Sequence, residues 1–217
     1  MRSRRRLLTP MIFGVLLIGG GMAVIGNAVY QKWNSAQFAS NLDTGSSQRI
    51  NNFPHDSIKG AATSGSPQTP VTCSNQADAS EYALVKFTGL PYASYLDVAV
   101  DGNWDNLHNS SMVHWHGSAD PGGQGNMIIA FHREPKFEHI DQLNTGGTVT
   151  IQDRACHTFV YTVTAQWQGD PSHVTQLVTT QAGHTLTMIT CTPWWQDYNR
   201  IVWSANLTSV DGKAFTG

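Results

Sequence analysis

Charge is scarce in this sequence. Only 13% of its 217 residues are Asp, Glu, Lys or Arg, about half of what globular proteins carry, and the formal net charge is -2. A chain so poor in basic residues has no electrostatic footprint for nucleic acid. No carboxylates cluster at the spacing of a calcium loop. The glycines of DPGGQGN, residues 120–126, do not lie between a strand and a helix, so they mark a turn and no phosphate cradle. No internal repeat runs along the chain. Cysteine is scarce too, at three residues, and three cannot all pair within one chain. At least one of Cys73, Cys156 and Cys191 is therefore a free thiol or an intermolecular link. Cys73 with Cys156 is one pairing, and it would leave Cys191 free.

The charge that exists is unevenly spread. Arg2, Arg4, Arg5 and Arg6 open the chain, and Leu7 to Tyr30 then carries no charge at all. A helix needs about 20 apolar residues to cross a membrane, and arginines before the run place the N-terminus inside. The expectation is a cytoplasmic tail over 1–6 and a transmembrane anchor over 7–30. A cleaved secretory signal is the alternative, with Gly26-Asn27-Ala28 as a cleavage site. Either way, residues 31–217 lie outside the cytoplasm. They hold all 15 Asp and Glu of the chain and its 13 Lys and Arg less those four, so this part is acidic. An extracytoplasmic compartment oxidises thiols, which makes an unpaired cysteine notable.

Residues 31–80 are rich in Ser, Gly, Asn, Gln, Thr and Pro. They show no persistent period and are expected to form a flexible extracytoplasmic linker. From Glu81 the texture changes. YALVKF (82–87), SYLDVAV (94–100), NMIIAFH (126–132), GTVTIQD (147–153), HTFVYTVTAQW (157–167), TLTMITC (185–191) and RIVWSANL (200–207) are β-branched and aromatic runs bounded by turn residues. NWDNLHN (103–109), FEHIDQL (137–143) and SHVTQLV (172–178) suggest short helical turns. An all-β domain, sandwich or barrel, is expected over 81–217.

Three reactive side chains stand at strand ends. Cys191 ends one apolar run, Arg200 opens the next, and His132 ends NMIIAFH. If these ends share one face, the chemistry is that of a cysteine nucleophile. The thiolate attacks and a nearby cation lowers its pKa. A histidine protonates a leaving amine, and a guanidinium stabilises an oxyanion. Taken singly, each residue also has an ordinary structural reading, since free cysteines are commonly buried and inert.

TLTMITC followed by Arg200 resembles the TLxTC-plus-arginine signature of sortases. NMIIAFHR resembles the segment that ends in their catalytic histidine. The order of strand, histidine, strands, cysteine, loop and arginine covers about Tyr82 to Leu207. The resemblance implies an eight-stranded β-barrel with short helices behind a membrane anchor. It implies that Cys191 attacks the Thr carbonyl of an LPxTG-like sorting signal. His132 would serve as general acid and base, and Arg200 would hold the substrate backbone and oxyanion. Thr190, Trp194 and Trp195 would lie beside the substrate; packing of the two tryptophans on the barrel is an equal alternative. Implied partners are proteins bearing the signal and a cell-wall or pilin amine as acceptor; no cofactor, metal or nucleic acid is implied. The segment NWDNLHNSSMVHWHGSADPGGQGN looks most like class E of actinobacteria, with class D next. The chain departs from the family in having Phe131 where a glycine commonly precedes the histidine. It departs from class E in that REPKF lacks a Thr-Thr-Tyr run. A surface binding module on an inactive barrel, motivated by Phe131, is the second reading.

His114 and His116 share one strand face around Trp115 and could offer two imidazoles to zinc. No third or fourth ligand stands at a convincing spacing, so a wet strand edge is the expected reading.

Overall fold

The computed structural model describes residue 30 and residues 33–54, 73–76, 78–91, 93–174, 182–194 and 197–217. The chain forms two units, Met1–Asn41 and Leu42–Gly217. The described part of the first is helical. The anchor expected over 7–30 lies outside the described residues, apart from Tyr30. Among the described residues no helix is long and apolar enough to cross a membrane.

The second unit is built on strands β1 (Ala83–Thr88), β2 (Tyr95–Gly102), β3 (Met112–Trp115), β4 (Gly125–Phe131), β5 (Thr148–Gln152), β6 (Thr158–Gly169), β7 (His184–Thr192), β8 (Asn199–Val210) and β9 (Lys213–Ala214). They pair in the order β6-β5-β1-β2-β3-β4-β7-β8-β9, and β6 also pairs with β8. That last pairing closes eight strands into a barrel and leaves β9 as a short hairpin extension of β8. Closure removes the open edges a sheet would otherwise expose. The expected eight-stranded barrel is therefore present. The expected turns are present as 3₁₀ segments at Trp104–His108 and Ile140–Gln142 and as the one-turn helix Pro171–Val174.

Alternation along each strand sorts the side chains. Val85 and Phe87, Met127, Ile129 and Phe131, Leu186 and Met188, and Ile201 and Trp203 point into the barrel and form its core. The buried Trp203 indole donates to the Leu143 carbonyl at 2.8 Å, so the core contains no orphaned N–H at this site. Phe131 lies among Phe137, Phe87 and Trp203, at ring-centroid distances of 5.0, 5.4 and 6.2 Å.

One expectation is corrected here. Residues 33–52, read from sequence as part of a flexible linker, are helical; we label this helix α1. From Leu42 on it belongs to the second unit, which thus begins well before Glu81. Leu42, Ser46, Ile50 and Phe53 are buried. Their spacing of three to four residues is one face of a helix. Ile50 and Phe53 pack with Leu84, Val98 and Leu96 on the outer face of β1 and β2. The seam was disguised because a serine occupies one of its four positions. Ser46 Oγ donates to Asp97 at 2.6 Å and accepts from Lys136 Nζ at 2.7 Å. Burial pushes the Lys136 ammonium pKa down, while Asp97 and Asp43 pull it back up. Phe53→Ala is therefore expected to cost about 3–5 kcal/mol in chemical denaturation, as for other buried aromatic truncations. A flexible linker would show no loss.

Cys73 and Cys156 form a disulfide, with Cα atoms 5.6 Å apart. It ties the segment preceding β1 to the turn between β5 and β6. Cys191 is the free cysteine.

Candidate active site

Strand direction assembles the site. β4 and β7 run parallel, so their C-terminal ends reach the same rim of the barrel. β8 runs antiparallel to β7, which brings its N-terminal end to that rim as well. His132 follows the last residue of β4, Cys191 is the penultimate residue of β7, and Arg200 is the second residue of β8.

Register sharpens this placement. Cys191 and Arg200 are a cross-strand pair. Ala130 pairs with Ile189, and Ile189 with Val202. These three form a small apolar cluster on the outer face, covered by Leu107 of the first 3₁₀ turn. Two residues further along each strand, on the same outer face, stand His132, Cys191 and Arg200. The three candidate residues thus form one row above an apolar floor.

Each member is held by named partners. The His132 backbone N–H donates to the Ser111 carbonyl at 2.9 Å. Its ring Nε2 lies 2.7 Å from the Leu107 carbonyl. A carbonyl only accepts, so Nε2 carries a hydrogen and donates it. The Leu107 carbonyl is a contact of the candidate histidine that the sequence does not disclose, because no residue-type signal marks a backbone group. Arg200 Nη1 donates to the carbonyls of Asp197 and Asn199, at 2.9 and 3.1 Å. Its Nε and Nη2 make no bond to a described residue. Both loops leaving the rim carry a cis X-Pro peptide, Glu134–Pro135 and Thr192–Pro193.

Cys191 is half-buried. Burial pushes its thiol pKa above the ordinary range, Arg200 pulls it back, and the Glu134 and Asp197 carboxylates add to the rise. At neutral pH the resting thiol is therefore protonated. Only the thiolate alkylates, so the rate with iodoacetamide should keep climbing beyond an ordinary thiol pKa of about 8.5. Arg200→Ala removes the favourable cation and should move the profile further alkaline. A rate already level at neutral pH would contradict this electrostatic picture.

The residues expected beside the substrate divide. Thr190 is 2% exposed, has the inward parity of Leu186 and Met188, and donates its hydroxyl to the Phe131 carbonyl at 2.6 Å. It fastens β7 to β4 and does not face the outer row. Trp194 is half-buried in the loop after β7, and Trp195 lies outside the described residues. The wet-edge reading of His114 is corrected. His114 is buried and stacks on Tyr82 at 4.3 Å. It does share a face with His116, and the two Nδ1 atoms bond opposite oxygens of Asp101, at 2.8 and 2.7 Å. The bond to Asp101 raises the pKa of exposed His116. Among the described residues no cluster is suited to a metal ion.

The sortase-domain family model matches residues 92–208, more than half of the chain. The chain belongs to the sortase family. The barrel is similar to that of a sortase D5 transpeptidase of Clostridium perfringens, with a TM-score of 0.54 at 22% identity, covering 78% of this chain and 99% of that one. It is similar also to sortase A of Listeria monocytogenes, with a TM-score of 0.51 at 20% identity, covering 64% and 92% of the two chains. Among curated proteins no sequence matches the chain. The family activity is transpeptidation through a cysteine, on proteins bearing sorting signals and with an amine as acceptor.

Proposed function

We propose that this sortase uses Cys191, His132 and Arg200 to cleave an LPxTG-like signal between Thr and Gly and to join the Thr acyl group to a cell-wall or pilin amine. The observation that carries the reading is the single outer-face row of the three residues at one rim. Cys191 transfers its proton to His132, and the thiolate attacks the Thr carbonyl carbon. Arg200 steadies the oxyanion. When the tetrahedral adduct collapses, the C–N bond breaks and His132 returns the proton to the departing glycine amine, leaving a thioester. The acceptor amine then attacks the thioester, giving a proton to His132. The Cys191 thiolate leaves and is reprotonated. Burial raises the pKa of the Cys191 thiol, so forming the thiolate carries a cost that Arg200 helps to offset.

The enzyme is placed at the cell membrane as a single-pass protein, with its N-terminus cytoplasmic and the barrel outside. The basic, then apolar, N-terminus supports this, and so does the Cys73–Cys156 disulfide, a bond of oxidising compartments. The binding-module reading rested on Phe131 reshaping the groove. Its ring lies in the barrel core, opposite in parity to His132, so that motive is gone. The class is read as E, with D next, from the sequence resemblance. A panel of signal peptides with Ala or Pro at the second position, assayed with and without an acceptor amine, tests both activity and class. A transpeptidation product is expected with one of them. Absence of any cleavage across the panel would defeat the proposal.

A further inference from the structure

Arg133 follows His132 directly and is 4% exposed, an unusual state for a charged side chain. Its guanidinium joins three parts of the rim. Nη1 donates to Thr192 Oγ1 at 2.8 Å. Nη2 pairs with Asp141 Oδ1 at 2.9 Å. Nε and Nη2 both reach the Glu138 carbonyl, at 3.3 and 3.0 Å. Thr192 follows Cys191 directly and is 5% exposed. It has the inward parity of Leu186 and Met188 on the same strand.

The residue after the histidine is thus bonded to the residue after the cysteine, on the face of the rim opposite the outer row. The place matters because the β4–β7 register ends at Ala130 and Ile189. Past that point the Thr190 hydroxyl on the Phe131 carbonyl is the first tie between the strand ends, and Arg133 on Thr192 is the next. The second tie links the two ends directly, in addition to the bonds that hold His132 to Ser111 and pair Cys191 with Arg200 of β8.

We propose that Arg133 is a positioning residue for transpeptidation: through Thr192 it clamps the ends of β4 and β7 and so sets His132 against Cys191. The proposal rests on the transpeptidase reading above. The guanidinium suits the task because its planar fork serves all three partners at once, whereas a lysine ammonium is a single point. A small misplacement of a general acid and its nucleophile costs as much as about 100-fold in rate.

Thr192→Val is the deciding variant, because it removes the acceptor hydroxyl and nearly keeps the volume. Its kcat for signal peptide and amine should fall by about 10- to 100-fold, with KM and the rate of Cys191 alkylation unchanged. Thr192→Ser restores the hydroxyl and should return kcat close to wild type. Arg133→Lys should lose kcat as Thr192→Val does. Long-range proton–nitrogen NMR of the histidine rings should show the His132 signal shifted or broadened in Thr192→Val, with those of His116 and His157 unchanged. Wild-type kcat in Thr192→Val, or an unchanged His132 signal, would overturn the clamp. Loss of alkylation in step with kcat would also overturn it, since that marks general disruption of the rim. A wild-type protein that forms no acyl-enzyme defeats the transpeptidase reading separately, and the NMR comparison then decides the clamp alone.

Discussion

Cys191→Ala is expected to end acyl-enzyme formation and transpeptidation while the protein stays folded. The sulfur is the thiol nucleophile of the outer row, and the acyl group is expected on it. Its loss closes the covalent route, and in covalent peptidases removal of the nucleophile lowers kcat by on the order of a million-fold. The structural cost is small for two reasons. The side chain is half-buried, and it lies on the outer face away from the core that holds Phe131, Met188 and Trp203. Truncation there opens no enclosed cavity of the kind that makes core variants expensive. The check is turnover measured beside a thermal melt. Activity surviving in Cys191→Ala would remove the cysteine from the mechanism. A collapsed melting transition would mean that the cysteine was structural after all.

Arg200→Lys is expected to lose about 100- to 1000-fold in turnover, the usual cost of removing one oxyanion donor, with thermal stability nearly unchanged. Lysine keeps the charge and loses the fork. In the resting structure Nη1 is held by the Asp197 and Asn199 carbonyls. Arg200 is the cross-strand partner of Cys191, and its charge lowers the pKa of that thiol. Lysine offers one nitrogen, which cannot hold the loop and meet a substrate oxygen together. Arg200→Ala should fall at least as far, and in addition it should shift the Cys191 alkylation profile to higher pH. These two variants separate geometry from charge: lysine keeps the field on the thiol, and alanine removes it. Near-wild-type turnover in Arg200→Lys would leave Cys191 and His132 as a dyad.

Much of the barrel could be read from the sequence because each strand announces itself locally. Val85, Ile129, Met188 and Trp203 alternate with outward residues and are bounded by turns, and such a pattern requires no partner to be visible. The candidate row could be read only through resemblance, since its convergence depends on β4 and β7 being parallel neighbours. No local pattern encodes that pairing between segments more than fifty residues apart. The α1 helix was missed because its seam of Leu42, Ser46, Ile50 and Phe53 is short and includes a polar residue. That residue turns inward to serve Asp97 and Lys136, partners remote in sequence. The tie that Thr190 makes to the Phe131 carbonyl is hidden for a similar reason: Thr190 neighbours Cys191 in the motif, yet alternation on a strand sends neighbours to opposite faces. His114 was read as a wet edge because the acceptor that accommodates it, Asp101, lies on another strand.

The central claim is that Cys191 carries the acyl group of a sorting signal. It is tested most directly by incubating the protein with signal peptide in the absence of acceptor amine, then measuring the intact mass and mapping the modified residue by peptide mass spectrometry. The account predicts a thioester adduct containing the peptide up to Thr, located on Cys191, absent from Cys191→Ala and discharged by added amine. Cleavage of the peptide with no adduct on Cys191, or an adduct on another residue, would contradict it.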